Sequence, residues 1–119
     1  MPAPPDPSEQ HFQKALDLYA EGHSEKSIDE YQRCLSLNPS HSEALHGLAR
    51  AYQELSRFDE SLIISRRLVE LEPDDPLSFT SLSIALHKKG LIAEAETAAN
   101  QARILGWKRQ LRGQKQRSD

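Results

Sequence analysis

One cysteine, one methionine, one tryptophan and five glycines stand among 119 residues, and aromatic side chains make up only 6%. The single Cys34 excludes an internal disulfide framework and a cysteine-rich zinc site. It suits a reducing compartment. No basic-then-apolar stretch opens the chain as a signal peptide would. No apolar run is long enough to span a bilayer, so a soluble, cytoplasmic protein is expected. A glycine-rich phosphate loop is missing, as are a Ser/His/Asp order and an acid pair poised for a cleft. Neither an enzyme nor a cofactor is expected. Net charge is only -3, too little for a strong pull of the whole molecule on nucleic acid or membrane. Its distribution is uneven: residues 1–107 hold 10 basic and 17 acidic side chains, a net of -7. Residues 108–119 set Lys108, Arg109, Arg112, Lys115 and Arg117 against Asp119, a net of +4.

What the chain does have is a period of 34 residues. Pro39 and Pro73 are separated by it, as are Gly22, Ser56 and Gly90. Ala15, Ala49 and Ser83 recur together, and so do Leu18, Tyr52 and Leu86, and Leu37, Leu71 and Leu105. A fixed period of this length means stacked copies of one supersecondary unit. An apolar share of 37% fits a thin solenoid in which each unit buries one stripe against its neighbours.

Local signals divide each unit into two helices. Met1 to Pro7 reads as a disordered, proline-rich leader, since proline lacks a donor and fixes φ. Asp6-Pro7-Ser8-Glu9 offers a cap, a first-turn proline and a capping-box acid, and His11 to Glu21 continues the helix to a stop at Gly22. Ser24 to about Leu37 is the second helix, ended by Asn38-Pro39. Ser40 with Glu43 predicts another capping box and a helix to about Leu55. Arg57–Leu71, Pro76–Lys89 and Leu91–Leu105 complete six helices. Ser8, Ser24 and Ser40 are expected as caps. The units are 8–41, 42–75 and 76–107, followed by a basic tail over 108–119. Ile104, Trp107 and Leu111 share one helical face, so either a short extension or a fold-back cap fits the tail.

Residues 8 to 107 resemble the tetratricopeptide repeat family. Ala15, Ala49 and Ser83 match its small residue in the first helix, with Leu18, Tyr52 and Leu86 three places on. Gly22, Ser56 and Gly90 match its inner turn. Ser27, Ser61 and Ala95 match the small residues early in the second helix, and Cys34 and Ala102 the late ones, where Leu68 is larger. Lys14 departs from Leu48 and Leu82, as suits a terminal unit, and Gly106-Trp107 replaces the closing proline. The resemblance implies an all-α, right-handed α-solenoid of six antiparallel helices acting as a protein-interaction module or adaptor.

It also implies a concave groove lined by the first helix of each unit. The positions carried over are Glu9, Phe12, Leu16, Tyr19 and Ala20; then Glu43, His46, Arg50, Gln53 and Glu54; then Leu77, Thr80, Ile84, His87 and Lys88. Such a groove suits a peptide or helix with apolar anchors and an acidic group, held by Phe12, Leu16 and Tyr19 and oriented by Arg50 and Lys88. The carboxylate clamp of some chaperone-binding members falls here on Phe12, Leu16, Gly47, Leu77 and Ser81, none a cation or an amide, so that clamp is not expected. The five histidines are expected at the surface, since His46 and His87 have no third ligand and zinc catalysis needs three. Cys34 is expected to be an inert core thiol. Ala93, Ala95, Ala98, Ala99 and Ala102 either limit exposed apolar surface on a terminal helix or allow a close contact with a second copy. The tail keeps an accessory role with nucleic acid open through its phosphate-pairing cations, although stacking aromatics are lacking beyond Trp107.

Overall fold

Proline, glycine and a few side-chain caps set where each helix begins and ends. The computed structural model describes residues 3, 4 and 6–118, with side chains as far as Lys115, and no strand occurs among them. The helices are α1 (Pro7–Ala20), α2 (Ser24–Leu37), α3 (Ser42–Glu54), α4 (Phe58–Leu71), α5 (Pro76–Lys88) and α6 (Ile92–Ser118). Asp6 accepts from the Ser8 backbone N–H at 3.0 Å with Pro7 in the first turn, so Pro7 belongs to α1 and not to a leader. Met1, Pro2 and Pro5 of that expected leader lie outside the described residues. Asp75 repeats the arrangement at α5, accepting from the Leu77 N–H at 3.0 Å ahead of Pro76.

The serine caps do not form. Helix α3 is capped by His41, whose Nδ1 accepts from the Ala44 N–H at 3.1 Å, and Glu43 then sits one position too early to close a box with that cap. With Nδ1 accepting, the proton is on Nε2, which donates to Glu9 Oε1 at 2.5 Å. Glu9 is thereby drawn away from its own helix start. Ser8 is buried with its hydroxyl unpartnered, and α2 follows His23 without any side-chain cap.

Three inner turns share one hydrogen-bond scheme. His23 N–H reaches Leu18 O at 2.8 Å, Arg57 N–H reaches Tyr52 O at 2.8 Å, and Leu91 N–H reaches Leu86 O at 2.9 Å. This is the six-to-one closure of a helix that ends on a left-handed residue. Gly22 and Gly90 take φ of +85° and +81°, and Ser56 takes +58°, the one non-glycine among the described residues to adopt that backbone.

The turn folds each second helix back along the first, and successive pairs stack into an all-α solenoid. Along the stack α1 touches α3 and α3 touches α5, whereas α2, α4 and α6 make no such lateral contacts. The first helices therefore crowd together on the inside of the curve. A radius of gyration of 16.0 Å exceeds the roughly 13.5 Å of a compact chain this long. The core lies in the seams. Ala15, Ser27, Ala44, Cys34 and Ala51 have no exposed surface, and Phe12, Ile28, Tyr31, Leu48 and Tyr52 pack among them. A second cluster joins Leu82 and Leu86 to Ala95 and Ala98, so α5 already occupies the small face of the alanine-rich helix.

Two features correct the expectations directly. Helix α6 passes through Gly106 and runs straight to Ser118. Gly106 and Gly113 take no left-handed turn, and neither a stop at Leu105 nor a fold-back cap results. The histidines are not all at the surface. His41 is buried against the Phe12 ring, with centroids 4.7 Å apart, and half-buried His11 meets Glu30 at 2.6 Å. Glu30, whose side chain is only 6% exposed, also faces Lys14 at 3.5 Å and Arg33 at 3.1 Å. Burial pushes its carboxyl up, but the His11 bond and the Lys14 and Arg33 charges outweigh burial and hold it below the ordinary glutamate value.

A Cβ on Gly47 would overlap the fully buried Tyr31 ring. Gly47→Ala should therefore cost about 1–3 kcal/mol in urea unfolding, despite alanine's better helix propensity. Glu30→Gln should cost about 1 kcal/mol at pH 7. A depressed folded-state pKa contributes stability above the unfolded value and loses it as pH falls through the folded one. The gap between the two proteins should thus close as pH drops below 4.5, followed by thermal unfolding.

Candidate groove between the first helices

Because α1, α3 and α5 line the inside of the curve, residues at i, i+4 and i+7 on each point into one depression. A cavity of about 470 Å³ lies there, lined by Phe12, Leu16, Tyr19, Tyr31, Glu43, His46, Gly47, Arg50, Gln53, Leu77, Thr80, Ser81 and Ile84. The expected residues Phe12, Leu16, Tyr19, His46, Arg50, Gln53, Thr80 and Ile84 all reach it. His87 and Lys88 do not: they occupy the exposed last turn of α5, past the end of the lining. Glu9 and Glu54 are likewise diverted, to His41 and to the Tyr19 hydroxyl, which donates to Glu54 Oε1 at 3.1 Å. Ala20 does not line the cavity.

Tyr31 was missing from the expected set because it comes from a second helix. The sequence signal for it is Gly47. Without a side chain at that position the Tyr31 ring reaches the groove floor, and the ring is 1% exposed. Burial raises the Tyr31 hydroxyl pKa, with the Tyr19 charge adding to it and the Arg50 charge opposing. Tyr19 is raised by burial, by its bond to Glu54 and by the Glu54 charge, against Arg50.

The groove is apolar on both flanks and rich in donors along its centre. Leu77 and Ile84 are 61% and 42% exposed. Among the described residues Arg50 makes no ion pair, and Gln53 Nε2 is shielded from solvent with no acceptor. The five positions of the chaperone-type clamp, Phe12, Leu16, Gly47, Leu77 and Ser81, all line it without a cation or amide.

Each junction between units is pinned by a pair of side chains 29 residues apart in the sequence. Phe12 and His41 stack at the first. At the second the same positions hold His46 and Asp75, with Nε2 and Oδ2 at 3.6 Å. Arg109 of α6 reaches the other Asp75 oxygen at 3.7 Å. Burial raises the Asp75 carboxyl, yet the Leu77 N–H, the Glu72 side chain and the Arg109 and His46 charges together hold it below its ordinary value.

A family model described as tetratricopeptide repeat matches residues 8–81. The Schizosaccharomyces pombe protein ypp1, which carries a provisional cargo-transport name, is 38% identical over 63 residues. That stretch is 53% of this chain and 7% of ypp1, so the chain spans a small part of that relative. Among solved structures, the second repeat domain of Spaghetti (RPAP3) bound to the HSP90 peptide SRMEEVD superposes with a TM-score of 0.80 at 17% identity, over 84% of this chain and 93% of that one. The Yersinia enterocolitica type III secretion translocator chaperone SycD superposes with a TM-score of 0.79 at 24% identity, over 86% and 77%. At these identities the likeness establishes the fold.

Cys34 stands apart from the groove. It is fully buried, and burial followed by the Glu9 and Asp6 charges pushes its thiol up, which disfavours the reactive thiolate. An aromatic disulfide reagent should leave the native protein unmodified over minutes and titrate one thiol per chain in urea.

Proposed function

We propose that this chain, which belongs to the tetratricopeptide repeat family, works as an interaction module that holds a partner protein in the groove of α1, α3 and α5. The observation that carries this reading is the pairing of exposed apolar flanks with the exposed Arg50 cation and the enclosed, unpaired Gln53 Nε2 inside one concave surface. A partner segment with aliphatic or aromatic anchors would cover Leu16, Leu77 and Ile84. Its carboxylate would pair with Arg50, and a carbonyl would accept from Gln53. Neither step alters a covalent bond, and the module's contribution is recognition. Spaghetti holds a peptide ending in Glu-Glu-Val-Asp, and SycD is named a chaperone; both support a protein partner for this fold. The peptide chemistry differs here, because the clamp positions are apolar or small.

The tail offers a second reading. Lys108, Arg109, Arg112 and Lys115 are exposed on the overhang of α6 beside exposed Trp107 and Leu111, which would suit an acidic partner, nucleic acid or a second copy.

Affinity capture with three baits separates these: the intact chain, Arg50→Glu/Leu77→Glu, and a chain ending at Gly106. Glutamate at 77 sits in the first turn of α5, where an acidic side chain is favoured, so the double variant should keep its helicity. A partner kept by the first and third baits and weakened at least tenfold on the second, as loss of an anchor predicts, is the expected result. A partner lost only on truncation would move recognition to the α6 overhang. The SRMEEVD peptide should show no saturable binding, and micromolar binding would overturn the apolar-anchor reading.

A further inference from the structure

The second junction is chemically unlike the first, although the fold closes both in the same way. Phe12, Asn38 and His41 occupy the first. One period later stand His46 on α3, Glu72 just after α4, and Asp75 at the start of α5. A tilted Phe12–His41 ring contact and the His41–Glu9 bond already seal the first junction without a cluster of three such donors. Three metal-type donors at the second are therefore not a requirement of the architecture.

Their geometry matches a common ligand. One donor atom from each of the three side chains lies within 4.8 Å of the other two. His46 Nε2 is shielded from solvent and makes no hydrogen bond. Its 3.6 Å distance to Asp75 Oδ2 is too long for one. It does match the spacing of two donors on a tetrahedral ion, about 3.3–3.6 Å for bonds near 2.0–2.2 Å. Asp75 divides its labour: Oδ1 accepts the Leu77 N–H that caps α5, while Oδ2 faces His46. The cap therefore survives if Oδ2 takes a metal. Glu72 brings a second carboxylate oxygen within 4.8 Å of both partners. Arg109, 3.7 Å from Oδ1 and 56% exposed, is the cation facing the cluster from α6.

We propose that His46, Glu72 and Asp75 form a binding site for a divalent zinc-type ion that ties α3 to the segment joining α4 to α5, at the wall of the groove. One imidazole with two carboxylates favours such a borderline ion, whereas calcium and magnesium prefer oxygen donors alone. The clasp joins α3 to the connection that caps α4 and α5, so the ion stabilises the junction by binding only the folded chain.

Calorimetric titration of the intact chain with zinc at neutral pH tests this, beside magnesium as a control and thermal unfolding with and without zinc. One zinc per chain at micromolar strength or better is expected, with a rise in Tm of at least about 3 °C at saturating metal and no magnesium heat. His46→Phe restores the residue type of the first junction, and Asp75→Asn keeps an equally good cap, so both should retain native helicity by circular dichroism. Each should weaken zinc by at least about 100-fold and remove the Tm rise. His87→Ala should bind as the intact chain does, and Arg109→Ala should bind several-fold tighter because a competing cation is gone. Absence of zinc binding at high micromolar concentration would overturn the proposal. So would several weak ions per chain, or an affinity unchanged in a folded His46→Phe.

Discussion

At positions 22, 56 and 90 the backbone turns left-handed, with φ of +85°, +58° and +81°, and the rest of the molecule follows from those three residues. Each lets the next helix return antiparallel only a few residues later, closed by the hydrogen bond to Leu18, Tyr52 or Leu86. That return brings Ser27, Ser61 and Ala95 against the preceding helix, and all three are buried. A larger side chain at any of them would hold the two helices apart. Glycine meets the φ requirement without steric cost, while Ser56 bears a penalty of roughly 1 kcal/mol that the surrounding packing sustains.

Antiparallel pairs fix the stack, and the unequal lateral contacts fix its curvature. First helices touch one another and second helices do not, so the concave side is built from α1, α3 and α5 alone. The groove is a consequence of that asymmetry. Its floor depends on one further constraint, the absent side chain of Gly47, which admits the Tyr31 ring from behind. Tyr31 also packs on Phe12, with ring centroids 6.3 Å apart, linking the groove floor to the seam between the first two units.

Most of this was legible in the sequence because its causes are local. The turn residues, the prolines after Leu37 and Leu71 and the small positions all act within a few residues of themselves, and the 34-residue period triples each signal. What escaped depended on contacts far along the chain. Ser40 looks a better cap than His41, yet His41 also stacks on Phe12 and bonds Glu9, 32 residues away. Gly106-Trp107 left a short extension and a fold-back cap both open, and the extension forms because Gly106 keeps its place inside α6 without a left-handed φ. Helix α5 carries Ile84 into the groove and leaves His87 and Lys88 on its exposed last turn. Periodicity places residues on a face without saying how far along that face the concavity runs.

The free groove is left in an unbalanced state, and the imbalance has a sign. Two of its donors lack a protein partner: the exposed Arg50 guanidinium makes no ion pair among the described residues, and Gln53 Nε2 is enclosed without an acceptor. Glu54 is engaged by Tyr19 and Glu9 by His41, which leaves Glu43 as the exposed acid lining the groove. An enclosed donor left unpaired costs on the order of 1–3 kcal/mol, and a fold that tolerates this gains nothing from it while alone. A partner bearing carbonyl or carboxylate oxygens recovers that energy on contact, whereas a partner bearing cations adds repulsion from Arg50. The donors thus discriminate by charge, the exposed Leu77 and Ile84 supply area, and the proposed recognition follows from the two together.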